Sequence, residues 1–269
     1  MGMFDVHAHL TDRRLAAREA EVLADAASAG VTTIVSNGLN PADNLAVLAL
    51  AERSSLVKPA IGLYPVDAVL PEMLAMGVDY ERPDTELVPG EEAAAFVEEH
   101  GHRAVAIGEI GLDRYWVPEP LWERQEVLFR RLVRAARDLG KPVIVHSRKA
   151  EQRMLEVLLE EGADRVDWHC FGGKVKLGLR IAEHRGQWLS IPANAAKNES
   201  FRRLLEKLPR DRVLLETDCP YLGPERGVLN EPKNVAVTVA LTAELWGVPE
   251  ERVVDQLEEN FEALFGFAP

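Results

Sequence analysis

Apolar and polar positions along the chain fall into two alternating rhythms. Short apolar runs, such as TTIVS at 32–36 and PVIV at 142–145, alternate with longer stretches in which apolar residues recur every three or four positions. The first rhythm predicts strands at 4–7, 32–36, 58–63, 104–107, 142–145, 166–168, 188–191 and 213–217. The second predicts helices at 13–29, 41–54, 91–100, 118–139, 151–161, 174–184, 201–208, 233–246 and 249–265. In 118–139, Leu121, Gln125, Leu128, Leu132, Ala135 and Leu139 share one face. Gly30, Gly140, Gly162 and Gly186 close helices, and Pro41 stands in the first turn of one.

Eight strands in near-strict alternation with helices, within 269 residues, predict the α/β class and a (β/α)8 TIM barrel, as a single domain over 1–269 with an extra C-terminal helix. A doubly wound open sheet would instead predict a glycine-rich phosphate loop after the first strand. None is present, and Gly108 and Gly111 flank a carboxylate. The connection at 64–104, with Pro65, Pro71, Pro83 and Pro89 and one helix, is long enough to be a lid or a disordered insertion.

Barrels of this type gather chemistry at the C-terminal ends of their strands. Here those ends read His7 and His9, Glu109, His146, His169 and Asp218. Histidines two apart in a strand project to one side and can share a metal ion. Each residue alone has a bland explanation: a buried histidine, a salt-bridge partner, or, for Asp218, a helix cap. Together, four imidazoles and two carboxylates suffice for two divalent ions with positions left for water, and Glu109 has two oxygens with which to bridge them.

Charge sharpens this picture. With 44 acidic and 31 basic residues the net charge is −13, which repels DNA and acidic membranes overall. Any nucleic-acid chemistry must come from a local focus, and two divalent ions beside two carboxylates leave about +2. Two cysteines, Cys170 and Cys219, make no disulfide framework, which predicts a reducing, cytoplasmic setting. No secretory segment or membrane-length apolar run is seen. Strand alternation points both cysteines to the helix layer, and it puts Asp5 on the face of His7, where it can orient that ring.

Around the strand ends, Arg148 can fork onto a phosphate or cap the next helix. Asp113 can orient a ligand histidine, meet substrate or shape a turn. Tyr64, Tyr115, Trp116 and Tyr221 can stack on bases or seal loops. Lys174, Lys176 and Arg180 read as a solvated helix face.

The segments DVHAHL, AIGEIGLD, PVIVHSR, HCF and LLETDCPYL, in that order, resemble the TatD family of metal-dependent deoxyribonucleases among the amidohydrolase-like barrels. The resemblance implies that His7, His9, Glu109 and Asp218 hold one metal and that Glu109, His146 and His169 hold a second. It also implies magnesium, manganese or zinc as the ions and DNA, as single strands or chain ends, as the substrate. Exonucleolytic cleavage of phosphodiester bonds is the implied reaction; from the chain itself no membrane and no obligate protein partner are expected. A metal-activated water with Asp218 as general base is the expected mechanism. Three departures stand out: Tyr64 in the turn where the family often has histidine, Lys149 where it has an acid, and the length of 64–104.

Three other readings compete. A small-molecule ester, lactone or amide hydrolase would usually bridge its metals with a modified lysine on the fourth strand, and 104–113 contains none. A D-aminoacyl-tRNA deacylase would use the same binuclear site. A non-catalytic barrel need not keep six ligands.

Overall fold

Eight parallel strands pair in chain order, each beside the next. They are β1 (Met3–Ala8), β2 (Val31–Asn37), β3 (Val57–Ile61), β4 (Ala106–Asp113), β5 (Val143–Arg148), β6 (Val166–Trp168), β7 (Gln187–Ile191) and β8 (Val213–Leu215), in a computed structural model that describes residues 2–80 and 87–269. Among the described residues no ladder joins β1 to β8. Individual bonds close the seam instead: Asp218 N donates to His7 O at 2.9 Å and His9 N to Cys219 O at 2.8 Å. The Asp5 carboxylate accepts Thr217 N at 2.8 Å and Thr217 Oγ1 at 2.5 Å. The result is the nearly closed barrel that the alternation predicts.

The helices are α1 (Arg13–Ala16), α2 (Glu19–Ser28), α3 (Pro41–Arg53), α4 (Leu70–Ala75), α5 (Gly90–His100), α6 (Trp122–Asp138), α7 (Glu151–Glu160), α8 (Val175–Ala182), α9 (Glu199–Lys207), α10 (Val235–Trp246) and α11 (Glu250–Phe265). Local chemistry sets several of their starts. The Asn40 side chain accepts Asp43 N ahead of Pro41, and Asn198 does the same for Ser200 N. None of the described helices is long and apolar enough to cross a membrane.

Four expectations need correcting. The helix expected at 13–29 is broken: Arg18 leaves helical geometry, and its guanidinium reaches Glu231 at 2.9 Å and Glu21 at 2.6 Å, bonds that reward the corner. The fourth and fifth strands run past Ile107 and Val145, because Ile110–Asp113 pair with Val145–Arg148. The eighth strand stops at Leu215, and Asp218 lies beyond it at a φ of 54°. The described part of 64–104 holds more regular structure than the single helix expected. It contains α4 as well as α5, whose Ala93, Ala94 and Val97 are fully buried. Pro83 lies outside the described residues.

Residues such as Val6, Ile34, Ile61, Ile107, Val145, Trp168, Leu189 and Leu214 are fully buried, each contributing roughly 1.5–3 kcal/mol of apolar transfer. On α6 the buried face includes Ala136 where Ala135 was expected. The extra helix α11 packs where strands begin. Phe261 lies 5.4 Å from Phe4, and Asn260 Nδ2 donates to Arg210 O and Val213 O at 2.8 and 2.7 Å.

Candidate metal centre

Glu109 sits within β4 at a register shift between Ile107 and Ile110, and two glycines let neighbouring backbone crowd it. A Cβ on Gly62 would fall 2.5 Å from Glu109 O. A Cβ on Gly111, at a φ of 155°, would fall 2.0 Å from His146 O. The close packing delivers Glu109 into a ring of histidines from β1, β5 and the end of β6.

Its two oxygens face two groups. Oε2 lies 3.6 Å from His7 Nε2 and 3.4 Å from His9 Nε2. Asp218 Oδ1 completes that side at 3.7 Å from His7 Nε2 and 3.4 Å from His9 Nε2. Oε1 lies 2.9 Å from His146 Nδ1 and 3.2 Å from His169 Nε2. The structure thus brings all six expected donors to one rim. Separations of this size are the edges of a coordination shell: ligands about 2.0–2.2 Å from an ion stand roughly 3.3–3.6 Å apart in tetrahedral geometry. The His7 and His9 Nε2 atoms face each other at 3.2 Å, a contact that a shared cation satisfies. The donor set therefore fits divalent metal.

Electrostatics agree. Burial pushes Glu109 up, but His169, His146 and His7 outweigh it and hold the carboxyl well below its usual range. Burial likewise raises Asp218, and its bond to His9 and the neighbouring imidazoles bring it below normal. His9 is depressed by burial, yet Asp218 and Glu109 lift it to about 9. His7 is held down by burial and by His169. The two carboxylates thus favour positive charge among the imidazoles, a charge that a divalent cation would also supply.

The surrounding shell differs in part from expectation. Asp113 Oδ2 lies 3.1 Å from His146 Nε2, while its Oδ1 accepts Tyr115 N and Trp116 N at 2.8 Å. It both orients the ring and shapes the turn. Asp5 does not touch the His7 ring. Its carboxylate accepts the His7 backbone N at 3.3 Å and spans the β1–β8 seam. His9 Nδ1 stands 3.2 Å from Asn37 O.

A cavity of about 620 Å³ opens above the donors, lined among others by Tyr64, Tyr80, Arg148, Lys149, Cys170 and Tyr221. Tyr64 packs edge-on to His146 at 5.1 Å. Tyr221 stands 6.4 Å from His9, with the Arg14 guanidinium 4.6 Å over its ring. Arg148 caps no helix: its guanidinium lies over Tyr115 at 4.0 Å and Trp116 at 5.6 Å. Among the described residues neither Arg148 nor Lys149 pairs with a carboxylate, although Glu151 accepts the Lys149 backbone N at 3.1 Å. Trp116 also meets Tyr80 at 5.4 Å, so it joins loops together. Lys174, Lys176 and Arg180 do not line the cavity.

Cys219 is buried, as expected, but Cys170 lines the cavity. β6 has already ended at Trp168 and Cys170 adopts a φ of 44°, so strand alternation does not govern its direction.

Sequence reasoning passed over Glu216, Asp167 and Ser190, all fully buried beside the donors. Ser190 Oγ lies 2.6 Å from Glu216 Oε2 and 3.1 Å from Asp167 Oδ2. Burial and the nearby Glu216 push Asp167 well above the usual carboxylate range. The available signal was alternation: Glu216 stands two before Asp218, and Asp167 two before His169.

Comparison with known proteins agrees with this geometry. Residues 4–266 match the family model described as TatD related DNase. The chain is 31% identical to the human deoxyribonuclease TATDN3 over 98% of this chain and 95% of that one. It is also 31% identical to an uncharacterized metal-dependent hydrolase, YabD, of Bacillus subtilis, over 98% of both. Among solved structures, the TatD homologue YJJV of Escherichia coli superposes with a TM-score of 0.83 at 26% identity over 98% of each chain. The chain belongs to the family of TatD-related DNases and is a metal-dependent hydrolase of ester bonds.

Proposed function

We propose that this protein cleaves phosphodiester bonds at the ends of DNA chains, using two divalent ions drawn from magnesium, manganese or zinc. One arrangement carries the reading: the two oxygens of Glu109 divide the imidazoles into a His7–His9 group with Asp218 and a His146–His169 group. Each group offers nitrogen and carboxylate donors, so His7, His9, Glu109 and Asp218 hold one ion and Glu109, His146 and His169 the other. Ions held there would act as Lewis acids on the phosphoryl oxygens and make a water more acidic.

The protein's own groups do the rest. Asp218, whose carboxyl is held below its ordinary pKa, takes a proton from the attacking water as general base in this reading. Arg148, exposed to the cavity and free of any carboxylate among the described residues, forks onto a phosphate. Tyr64 and Tyr221 flank the cavity and offer ring faces to a base or sugar. Asp113 fixes His146. A cavity of about 620 Å³ is in the small-ligand range of roughly 300–1,000 Å³, which suits a nucleotide at a chain end better than an uninterrupted duplex.

The test is incubation with magnesium or manganese and labelled single-stranded DNA, double-stranded DNA and RNA. Release of nucleotides from an end supports the reading, and internal cuts alone remove its exonucleolytic part. Absence of cleavage, together with hydrolysis of a lactone or a D-aminoacyl-tRNA, replaces the DNA substrate.

A further inference from the structure

The imidazoles of His7 and His169 lie face to face, with ring centroids 3.9 Å apart and planes 11° from parallel. His169 turns Nε2 to Glu109 at 3.2 Å, which leaves Nδ1 on the other side of the ring. That nitrogen is fully buried and has no hydrogen-bond partner. The buried atom nearest in character is Glu216 Oε1, which is equally without a hydrogen bond and stands 3.7 Å away. A donor position and an acceptor, both without a partner, thus stand 3.7 Å apart, a few tenths of an ångström beyond hydrogen-bond length, and buried polar atoms in folded proteins are normally paired.

Glu216 is not free to drift. Its other oxygen takes the Ser190 hydroxyl at 2.6 Å, and the same hydroxyl stands 3.1 Å from Asp167. These three side chains come from β6, β7 and the segment just past β8, so three adjacent strands aim one carboxylate oxygen at one ring nitrogen. Histidines that bind metal usually give their second ring N–H to such a group, which sets the tautomer and the ring direction.

We infer that Glu216, held by Ser190, is a positioning residue: it accepts Nδ1–H of His169 and so fixes the Nε2 lone pair of that ring toward the metal centre. The inference rests on His169 being a ligand, as proposed above. A donor group of His7, His169 and Glu216, with atoms within 4.8 Å of one another, also exists, and direct ligation by Glu216 is the competing role.

The experiment is calorimetric titration of metal-stripped protein with Mn²⁺ and Zn²⁺, alongside thermal unfolding of the same metal-free samples, for wild type, Glu216→Gln and Ser190→Ala. For Glu216→Gln, the expected result is metal affinity weaker by about 10–100-fold at unchanged stoichiometry, with metal-free Tm near wild type. Ser190→Ala, which loosens Glu216 without removing its charge, should lose less affinity, and it carries the test if Glu216→Gln does not fold. Unchanged affinity in a folded variant overturns the inference. So does a stoichiometry lower by one ion with the remaining affinity intact, because Glu216 is then itself a ligand. A wild-type protein that binds no metal overturns the function proposed above, independently of Glu216.

Discussion

The Nε2 atoms of His7 and His9 stand 3.2 Å apart, closer to each other than either is to the carboxylates of Glu109 and Asp218. Two imidazole nitrogens hold that approach when something positive lies between or beside them. A proton serves in the metal-free protein and a divalent ion serves better, because it meets both carboxylates as well.

Metal should therefore stabilise the fold directly. Ligand at about a thousand times its Kd adds roughly 4 kcal/mol, and a chain of this size gains about 2–4 °C of Tm per kcal/mol. Adding Mn²⁺ or Zn²⁺ to chelator-treated protein should raise Tm by about 10 °C in a thermal melt. A shift below a degree at millimolar metal would argue against a built site.

Glu109→Gln keeps the shape of the side chain, removes its negative charge and replaces one of its two acceptor oxygens with an NH2 donor. Phosphodiesterase activity should fall by about 10³-fold or more, with bound metal reduced in parallel by elemental analysis. Circular dichroism should report a folded barrel. Activity that survives in metal-free wild type would remove the metal from the mechanism.

Arg148 and Lys149 line the cavity, and among the described residues neither makes an ion pair. If both meet phosphates, Arg148→Ala and Lys149→Glu should each raise KM for an oligonucleotide by about tenfold, the size of one charged hydrogen bond. The salt dependence of binding should flatten by about one phosphate contact per residue removed. For Lys149→Glu, the KM for a small phosphodiester such as bis(4-nitrophenyl) phosphate should stay near wild type. Equal losses on both substrates would put Lys149 at the scissile group.

A different region sets acid stability. Glu161 accepts Arg134 at 2.7 and 2.8 Å and Arg130 at 2.8 Å, within a network that includes Glu126, Glu160 and Arg153. The bonds to Arg134 and Arg130 outweigh burial and hold Glu161 at about 2, below its ordinary 4.5. A carboxyl depressed on folding stabilises above its unfolded pKa, and that contribution is lost as pH falls from 4.5 through about 2. Glu161→Gln should lower Tm at pH 7 by about 2–4 °C, the equivalent of roughly 1 kcal/mol. It should also make Tm fall less steeply between pH 4.5 and 2. Parallel wild-type and variant curves would deny the pairing any role.

Glu216 and Ser190 explain why part of the site stayed hidden. Their contact, like that of Ser190 with Asp167, joins residues 26 and 23 positions apart; alternation gives the face of Glu216 and Asp167 but not the partner that each meets. For Asp113 the sequence offered two roles, orienting a ligand histidine and shaping a turn, and only the structure shows that one carboxylate does both. Cys170 was assigned the wrong direction because pleat alternation holds only while the strand continues.

The alternation of strand and helix, His7 and His9 at the end of β1, and donors in or just past β4, β5, β6 and β8 were legible in the sequence alone, because periodicity records burial and a barrel shows one end of every strand to the same space. Tertiary structure decided what lies behind that rim. The break at Arg18, the seam closed through Asp5, the two faces of Glu109 and the carboxylate behind His169 all depend on groups far apart in the chain. Their hydrogen bonds form only once the strands are in register, and a buried polar atom takes whichever partner packing brings within reach.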